Sequence, residues 1–268
     1  MILEIFKETI FLYPFISLII ITIPLSLLGI FVIFKRIVFL SDAISHSVIF
    51  AIALSYLLSL NLNILIILWT FFFLTFIFIL KEKSKLNLDI LIMLFTIFSL
   101  SLGIAIFNYI PYVKGDIGSF LFGNILLVSK FDIFLISFIA FLAILFIFFK
   151  LKELILISLN EEWAVTENVK VKKIDFLFSI LLGIIVVLGI KFIGALLISA
   201  ILILPASIAK LISNSFKELI IFTLFYGELI SILGFILSYL SNLPLGPCIV
   251  ILGFLIFSLV LIFKRKFI

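Results

Sequence analysis

Asp42 and His46 stand four residues apart in the run Lys35 to Leu60, KRIVFLSDAISHSVIFAIALSYLLSL, and His46 is the one histidine in the sequence. On a helix that spacing puts both on one face, about 6 Å apart along the axis. Two ionisable groups among apolar side chains need a cavity, a partner or a cation. Neutral imidazole beside a carboxylate suits a divalent first-row cation such as zinc or manganese. The plainer alternative is an Asp–His pair that satisfies itself between helices. Glu228, in LFYGELISILGF, is the other acidic residue deep in an apolar run. It completes a site from a neighbouring helix or bonds to Ser or Tyr side chains. Two ligands alone suit a pathway that releases its ion better than a structural zinc site, which is normally four-coordinate. Asp89, Asp116, Asp132 and Asp175 fall near the ends of apolar runs, where interfacial solvation explains them. Cys248, the single cysteine, is a soft ligand or, more commonly, a small buried hydrophobe. One cysteine excludes an internal disulfide and a cysteine cage.

The elements holding these residues are apolar throughout. Hydrophobic residues make up 66% of the chain and charged ones 12%, which leaves too little polar surface to cover a water-soluble core. Apolar stretches of roughly 17–25 residues follow one another, the length that crosses a ~30 Å hydrocarbon core. The fold expected is all-α: a polytopic helical membrane protein of about 8–9 transmembrane helices, forming one transmembrane domain over residues 1–268 with no separate soluble domain. Long unbroken runs exclude the alternation of a barrel strand. The run Ile10 to Phe34 is too long for a signal-peptide core and lacks a small-residue cleavage site, so it reads as a span. The net charge of +5 comes from basic residues at the ends of apolar runs, which argues for membrane topology rather than nucleic-acid binding.

Hydropathy gives about eight spans, and the charges refine the count. The run Ile117 to Val128, IGSFLFGNILLV, is too short to cross and carries Gly118, Gly123 and Asn124, which suits a re-entrant or broken segment. Nine crossings then run Ile10–Phe34, Ile37–Leu60, Ile64–Leu80, Leu86–Phe107, Ile133–Phe149, Ile174–Ile190, Phe192–Leu211, Leu219–Leu240 and Cys248–Phe263. The N-terminus falls outside and the C-terminus inside, with a tight external turn around Lys191. Apart from Lys7, Lys114, Lys130 and Lys191, nearly every lysine and arginine then lies inside. Lys35–Arg36 marks the inner interface, and His46 is expected about 15 Å beyond it, near the bilayer centre.

Two further stretches stand out. Residues 158–173, SLNEEWAVTENVKVKK, form the one plainly amphipathic cytoplasmic piece, either a solvated connector or a docking surface for a soluble partner. The seventh span carries small residues at Gly194, Ser199 and Ser207, and Pro205 frees a carbonyl near Ile201. It reads as ordinary packing with a kink, or as a helix lining a pathway or dimer seam. No G-x-x-x-x-G-K-[ST] nucleotide loop is present, so energy from ATP must arrive through another subunit.

Six collinear blocks carry a family resemblance: KRIVFLSDAISHSVIFAIALS, LDILIMLFTIFSLSLGI, DIGSFLFGNILLVS, NEEWAVTENV, IKFIGALLISAILILPASIAKLIS and LPLGPCIV. In these the chain resembles the permease subunits of bacterial ABC importers for zinc, manganese and iron. The resemblance implies a multi-pass protein of the bacterial cytoplasmic membrane, a homodimer docked to two cytoplasmic ATP-binding subunits and fed by an extracellular or periplasmic metal-binding protein. It implies no permanently bound cofactor, only the transported divalent metal, with ATP acting on the partner subunit. Asp42 and His46 match the family's intramembrane metal-contacting or gating positions. Glu161, Glu162, Trp163, Ala164 and Asn168 lie in the segment similar to its ATPase-coupling loop. Ser41 replaces the usual glycine before Asp42, which is expected to restrict close helix approach. Asn168 replaces a glycine, and asparagine tolerates the left-handed backbone.

Two other readings stay open: an ion-coupled carrier using Asp42, His46 and Glu228 as a relay, and a structural membrane subunit with no pathway. An intramembrane metalloprotease is excluded, because His-Glu-x-x-His needs two histidines.

Overall fold

The computed structural model describes residues 9–84, 86–109, 128–194 and 198–266. The expected re-entrant run therefore lies, apart from Val128, outside the described residues. Among those described there is no strand. Eleven helices follow in order: α1 (Thr9–Phe34), α2 (Phe39–Leu58), α3 (Leu62–Lys83), α4 (Leu88–Tyr109), α5 (Lys130–Phe149), α6 (Leu151–Leu159), α7 (Glu161–Thr166), α8 (Val171–Ile193), α9 (Ile198–Ile212), α10 (Phe216–Ser241) and α11 (Leu245–Lys266).

Eight of these are long and apolar enough to cross a membrane, and α9 is a shorter apolar helix. Each expected crossing matches one of these nine, with ends shifted by a few residues. The seventh differs most. The expected span from Phe192 is divided, because α8 continues through Lys191 to Ile193 and ends at Gly194, whose φ of 98° opens the turn. Lys191 is thus in the last turn of a helix rather than in a loop. Hydropathy does not register where a helix ends inside an apolar run, whereas glycine reaches positive φ at no steric cost. The 15 residues of α9 reach only about 22 Å.

Helices α1 and α2 are the most enclosed of the long helices, while α3, α5 and α11 turn most of their surface outward. Their centre is packed by Leu18, Leu25, Leu28 and Phe31 of α1, Ile44 and Val48 of α2 and Phe178 of α8, all essentially without exposure. Outward faces carry phenylalanine and leucine, as lipid-facing surfaces do. Two glycines let helices meet backbone to backbone. A Cβ on Gly29 of α1 would overlap the Leu202 carbonyl oxygen of α9, and one on Gly103 of α4 would lie 2.8 Å from the Phe50 nitrogen of α2. Small residues serve this purpose in lipid, where packing holds helices together.

The α1–α2 turn is fastened by a buried ion pair. Lys35 Nζ donates to Asp175 Oδ1 of α8 and lies 4.9 Å from the centre of the Phe178 ring. Interfacial solvation therefore does not account for Asp175. A carboxylate enclosed to that degree needs a countercharge, and Lys35, 140 positions away in sequence, supplies it. At the other end of the chain, Lys264 Nζ donates to the Leu211 carbonyl, meeting one of the acceptors left open where α9 ends.

Replacing Gly103 by Val is expected to cost about 1–3 kcal/mol through overpacking against α2, seen as a lower melting temperature in detergent. Asp175→Asn, which strands the Lys35 charge, is expected to cost about 3–5 kcal/mol, while Lys35→Met combined with Asp175→Leu loses much less. Equal losses for the single and double variants would show that the pair carries no such penalty.

Candidate functional site

Chain geometry brings Asp42 to the start of a helix. Four residues separate α1 from α2: Arg36 takes a φ of 58°, and the Ile37 amide donates back to the Val32 carbonyl at 3.1 Å. Helix α2 then opens at Phe39 with no side-chain cap, and Asp42 sits in its first turn, where the helix dipole favours a carboxylate. His46 is only seven residues past Phe39, about 10 Å along the axis, not the 15 Å expected from an unbroken helix starting at Lys35. The turn uses up residues that hydropathy assigned to the span.

From Ser41 to Val48 every residue is buried except Asp42 and His46, which are half-buried. Over that stretch the carboxylate and the imidazole alone share one accessible line. The two do not bond to each other: among the described residues His46 has no hydrogen-bond partner, and Asp42 Oδ1 accepts from Ser199 Oγ of α9. Ser199 in turn lies 3.2 Å from Ser41 Oγ, so the serine expected to hold helices apart instead bridges them. The other serines of α2 bond locally, Ser45 to the Ser41 carbonyl at 2.9 Å and Ser47 to that of Ile44 at 2.9 Å.

Glu228 is not brought to this line. Among the described residues no three His, Cys, Asp or Glu side chains form a group able to hold a metal ion. Among the described residues both Glu228 oxygens are buried without a hydrogen-bond partner, so the alternative of a bond to a serine or tyrosine is not seen there either. Its helix meets α1 along a polar seam: Thr22 and Ser231 hydroxyls are 2.9 Å apart, and Gly227 makes room for Ser26. Cys248 is fully buried in α11 and joins no donor group. Of the other small residues, Pro205 is buried within α9 and Ser207 half-buried.

The amphipathic stretch 158–173 takes in the end of α6, all of α7 and the start of α8. Lys150 Nζ donates to Glu153 at 2.7 Å, a bond that holds the carboxyl below its ordinary range. The Asn160 side chain caps α7 by accepting from the amides of Glu162 and Trp163 at 2.8 and 3.2 Å. Glu161 and Glu162 occupy the first turn of α7, on the side its dipole favours. Ala164 is fully buried and anchors the helix, leaving Trp163 67% and Val165 60% exposed. Asn168 closes it at φ 59°, with the Val169 amide reaching the Ala164 carbonyl at 2.9 Å, the wrapped hydrogen bond of a left-handed helix end. The asparagine thus adopts the backbone that its glycine-like position calls for.

The family described as the ABC 3 transport family matches residues 8–264. The chain belongs to that family. It is 29% identical over 239 residues to the high-affinity zinc uptake system membrane protein ZnuB of Haemophilus influenzae, covering 89% of this chain and 91% of that one. It is 28% identical over 266 residues to the manganese transport system membrane protein MntC of Listeria monocytogenes, covering 97% and 95%. Among solved structures, PsaBC from Streptococcus pneumoniae in complex with Fab contains a chain that superposes with a TM-score of 0.84 at 30% identity, covering 97% of this chain and 95% of that one. The helical architecture, the eight long apolar helices and the family together make this a multi-pass membrane component of an ABC transport system.

Asn168→Gly is expected to leave thermal stability unchanged, whereas Asn168→Val, forced into the left-handed region, is expected to cost about 1–2 kcal/mol. Melting curves of the purified membrane protein compare the two. A valine variant as stable as wild type would show that the loop end does not depend on this conformation.

Proposed function

We propose that this protein is the permease subunit of an ATP-driven importer for divalent transition metal ions, zinc or manganese being the cations named for its relatives and iron the third candidate. The observation that carries the reading is the accessible line of Asp42 and His46 along the buried start of α2. Carboxylate and imidazole are the donors that first-row divalent cations take, and two of them leave the remaining coordination positions to water. The ion is cargo, and these two side chains contact it in passage. Glu228 stands outside this pair within one chain.

The exposed Trp163 and Val165, flanked by Glu161 and Glu162, form the contact offered to a cytoplasmic ATP-binding subunit, an apolar centre with a charged rim. A metal-binding protein on the outer side of the bacterial cytoplasmic membrane delivers the ion, and two copies of the chain enclose the route. Gly194, at the α8–α9 turn, together with Ser199, Pro205 and Ser207 of α9, belongs to the wall of that route. Closure of the ATP-binding subunits moves α7, and with it α8, which packs against α2.

The test is metal uptake by cells expressing the permease with its cognate ATP-binding subunit and receptor. Asp42→Asn and His46→Ala are each expected to reduce uptake at least tenfold with membrane abundance unchanged. Wild-type uptake of every divalent metal by both variants would overturn the reading. Uptake that persists without the ATP-binding subunit would favour the ion-coupled carrier.

A further inference from the structure

Resting on the reading of Asp42 as a residue that contacts the cargo, we propose that Ser199 and Ser41 form a two-hydroxyl relay that orients the Asp42 carboxylate, tying down one oxygen and presenting the other to the ion. Each hydroxyl has one proton to give. Ser199 spends its proton on Asp42 Oδ1, a charge-assisted bond that outcompetes neutral acceptors. Its oxygen is then free to accept from Ser41 Oγ at 3.2 Å. Ser41 has a second acceptor, the Val38 carbonyl at 3.3 Å, in the last residue before α2. With the Ser41 proton given to Ser199 rather than to Val38, the chain Ser41 to Ser199 to Asp42 runs head to tail and crosses from α2 to α9 and back.

Both serines are buried, and Asp42 is half-buried, so the relay lies behind the carboxylate, on its protein side. A carboxylate held by one oxygen cannot turn freely, and Asp42 as a residue stays on the accessible line shared with His46. Mere packing between α2 and α9 would call for small side chains at 41 and 199 but not for hydroxyls. Ser199 and Ser41 are positioning residues: they act on the ion through Asp42.

The experiment measures zinc and manganese binding to the purified permease–ATP-binding subunit complex, without receptor, by equilibrium dialysis and elemental analysis. Ser199→Ala is expected to weaken binding about tenfold, the size of one charge-assisted hydrogen bond. Ser199→Thr, which keeps the hydroxyl, restores it. Ser41→Ala and Ser41→Gly weaken binding equally, by a few-fold, and neither adds to the loss in a Ser199→Ala background. Equal losses for Ser199→Ala and Ser199→Thr, or unequal ones for Ser41→Ala and Ser41→Gly, would show a packing role and overturn the relay. Asp42→Asn, measured alongside, separates the two levels of the argument. Wild-type binding by Asp42→Asn overturns the functional reading itself, whereas weak binding by Asp42→Asn with wild-type binding by Ser199→Ala overturns the relay alone. Should Ser199→Ala fail to yield a monodisperse complex, Ser199→Cys, a weaker donor of similar size, takes its place with the same expected direction.

Discussion

The contact on which the functional geometry depends is the one between Gly29 and the Leu202 carbonyl. It admits no Cβ, so α1 and α9 meet backbone to backbone. Helix α9, at 15 residues, is too short to cross a bilayer alone. Seated against α1, the most enclosed span, it has its first turn fixed within reach of the first turn of α2. Ser199 lies three residues before Leu202, and Asp42 three after the start of α2. The bond between them follows from where the backbones are pressed together.

Helix existence and type were legible because hydrocarbon forces backbone groups to pair within one segment, which writes spans into the sequence as long apolar runs. The accessible line of Asp42 and His46 was legible for a related reason: i, i+4 spacing is read along a single helix. What crosses between helices was not. Asp42 and Ser199 are 157 positions apart, and nothing in either neighbourhood marks the other. Ser199 is visible in sequence only as a small residue, and small residues in membrane helices signal packing, so its donor role was hidden by the commoner use of its type. Asp175 was misread the same way: a carboxylate near a span end is ordinarily solvated, and its partner lies far back in the chain. The end of α8 was missed because Lys191 resembles a loop residue, while Gly194 three positions later is where the helix ends, at positive φ.

The segment between the α7 surface and Asp42 is continuous in space. Helix α7 passes through Asn168 directly into α8, whose second turn carries Asp175. Asp175 holds Lys35, and Lys35 precedes the short turn into α2. Phe178, one turn further along α8, lies beneath the same lysine and packs edge-on against Phe31 of α1. The links at 167–170 and at Arg36 are exposed covalent turns, and the steps between them are buried contacts. A displacement at α7 therefore acts on packed side chains whose arrangements are discrete, which is the physical condition for carrying a change from one end of a bundle to another.

A route for a cation differs from a storage site in what it must leave out. A full set of four protein ligands, as in a structural zinc site, binds with apparent free energies of roughly 10–16 kcal/mol, and an ion held so tightly leaves too slowly to be cargo. In a single chain only one carboxylate and one imidazole share the line along α2, and no third acidic, histidine or cysteine side chain among the described residues joins them. One oxygen of that carboxylate already accepts from Ser199. The hydrogen bond fixes the direction of the carboxylate, while the small number of protein donors keeps the well shallow. Glu228 sits on α10, and among the described residues it forms no metal-holding group with the pair. On the proposed reading of Asp42 and His46, the arrangement favours a cation that is recognised by its preference for carboxylate and imidazole and then released, which is the requirement a transport pathway has and a structural site does not.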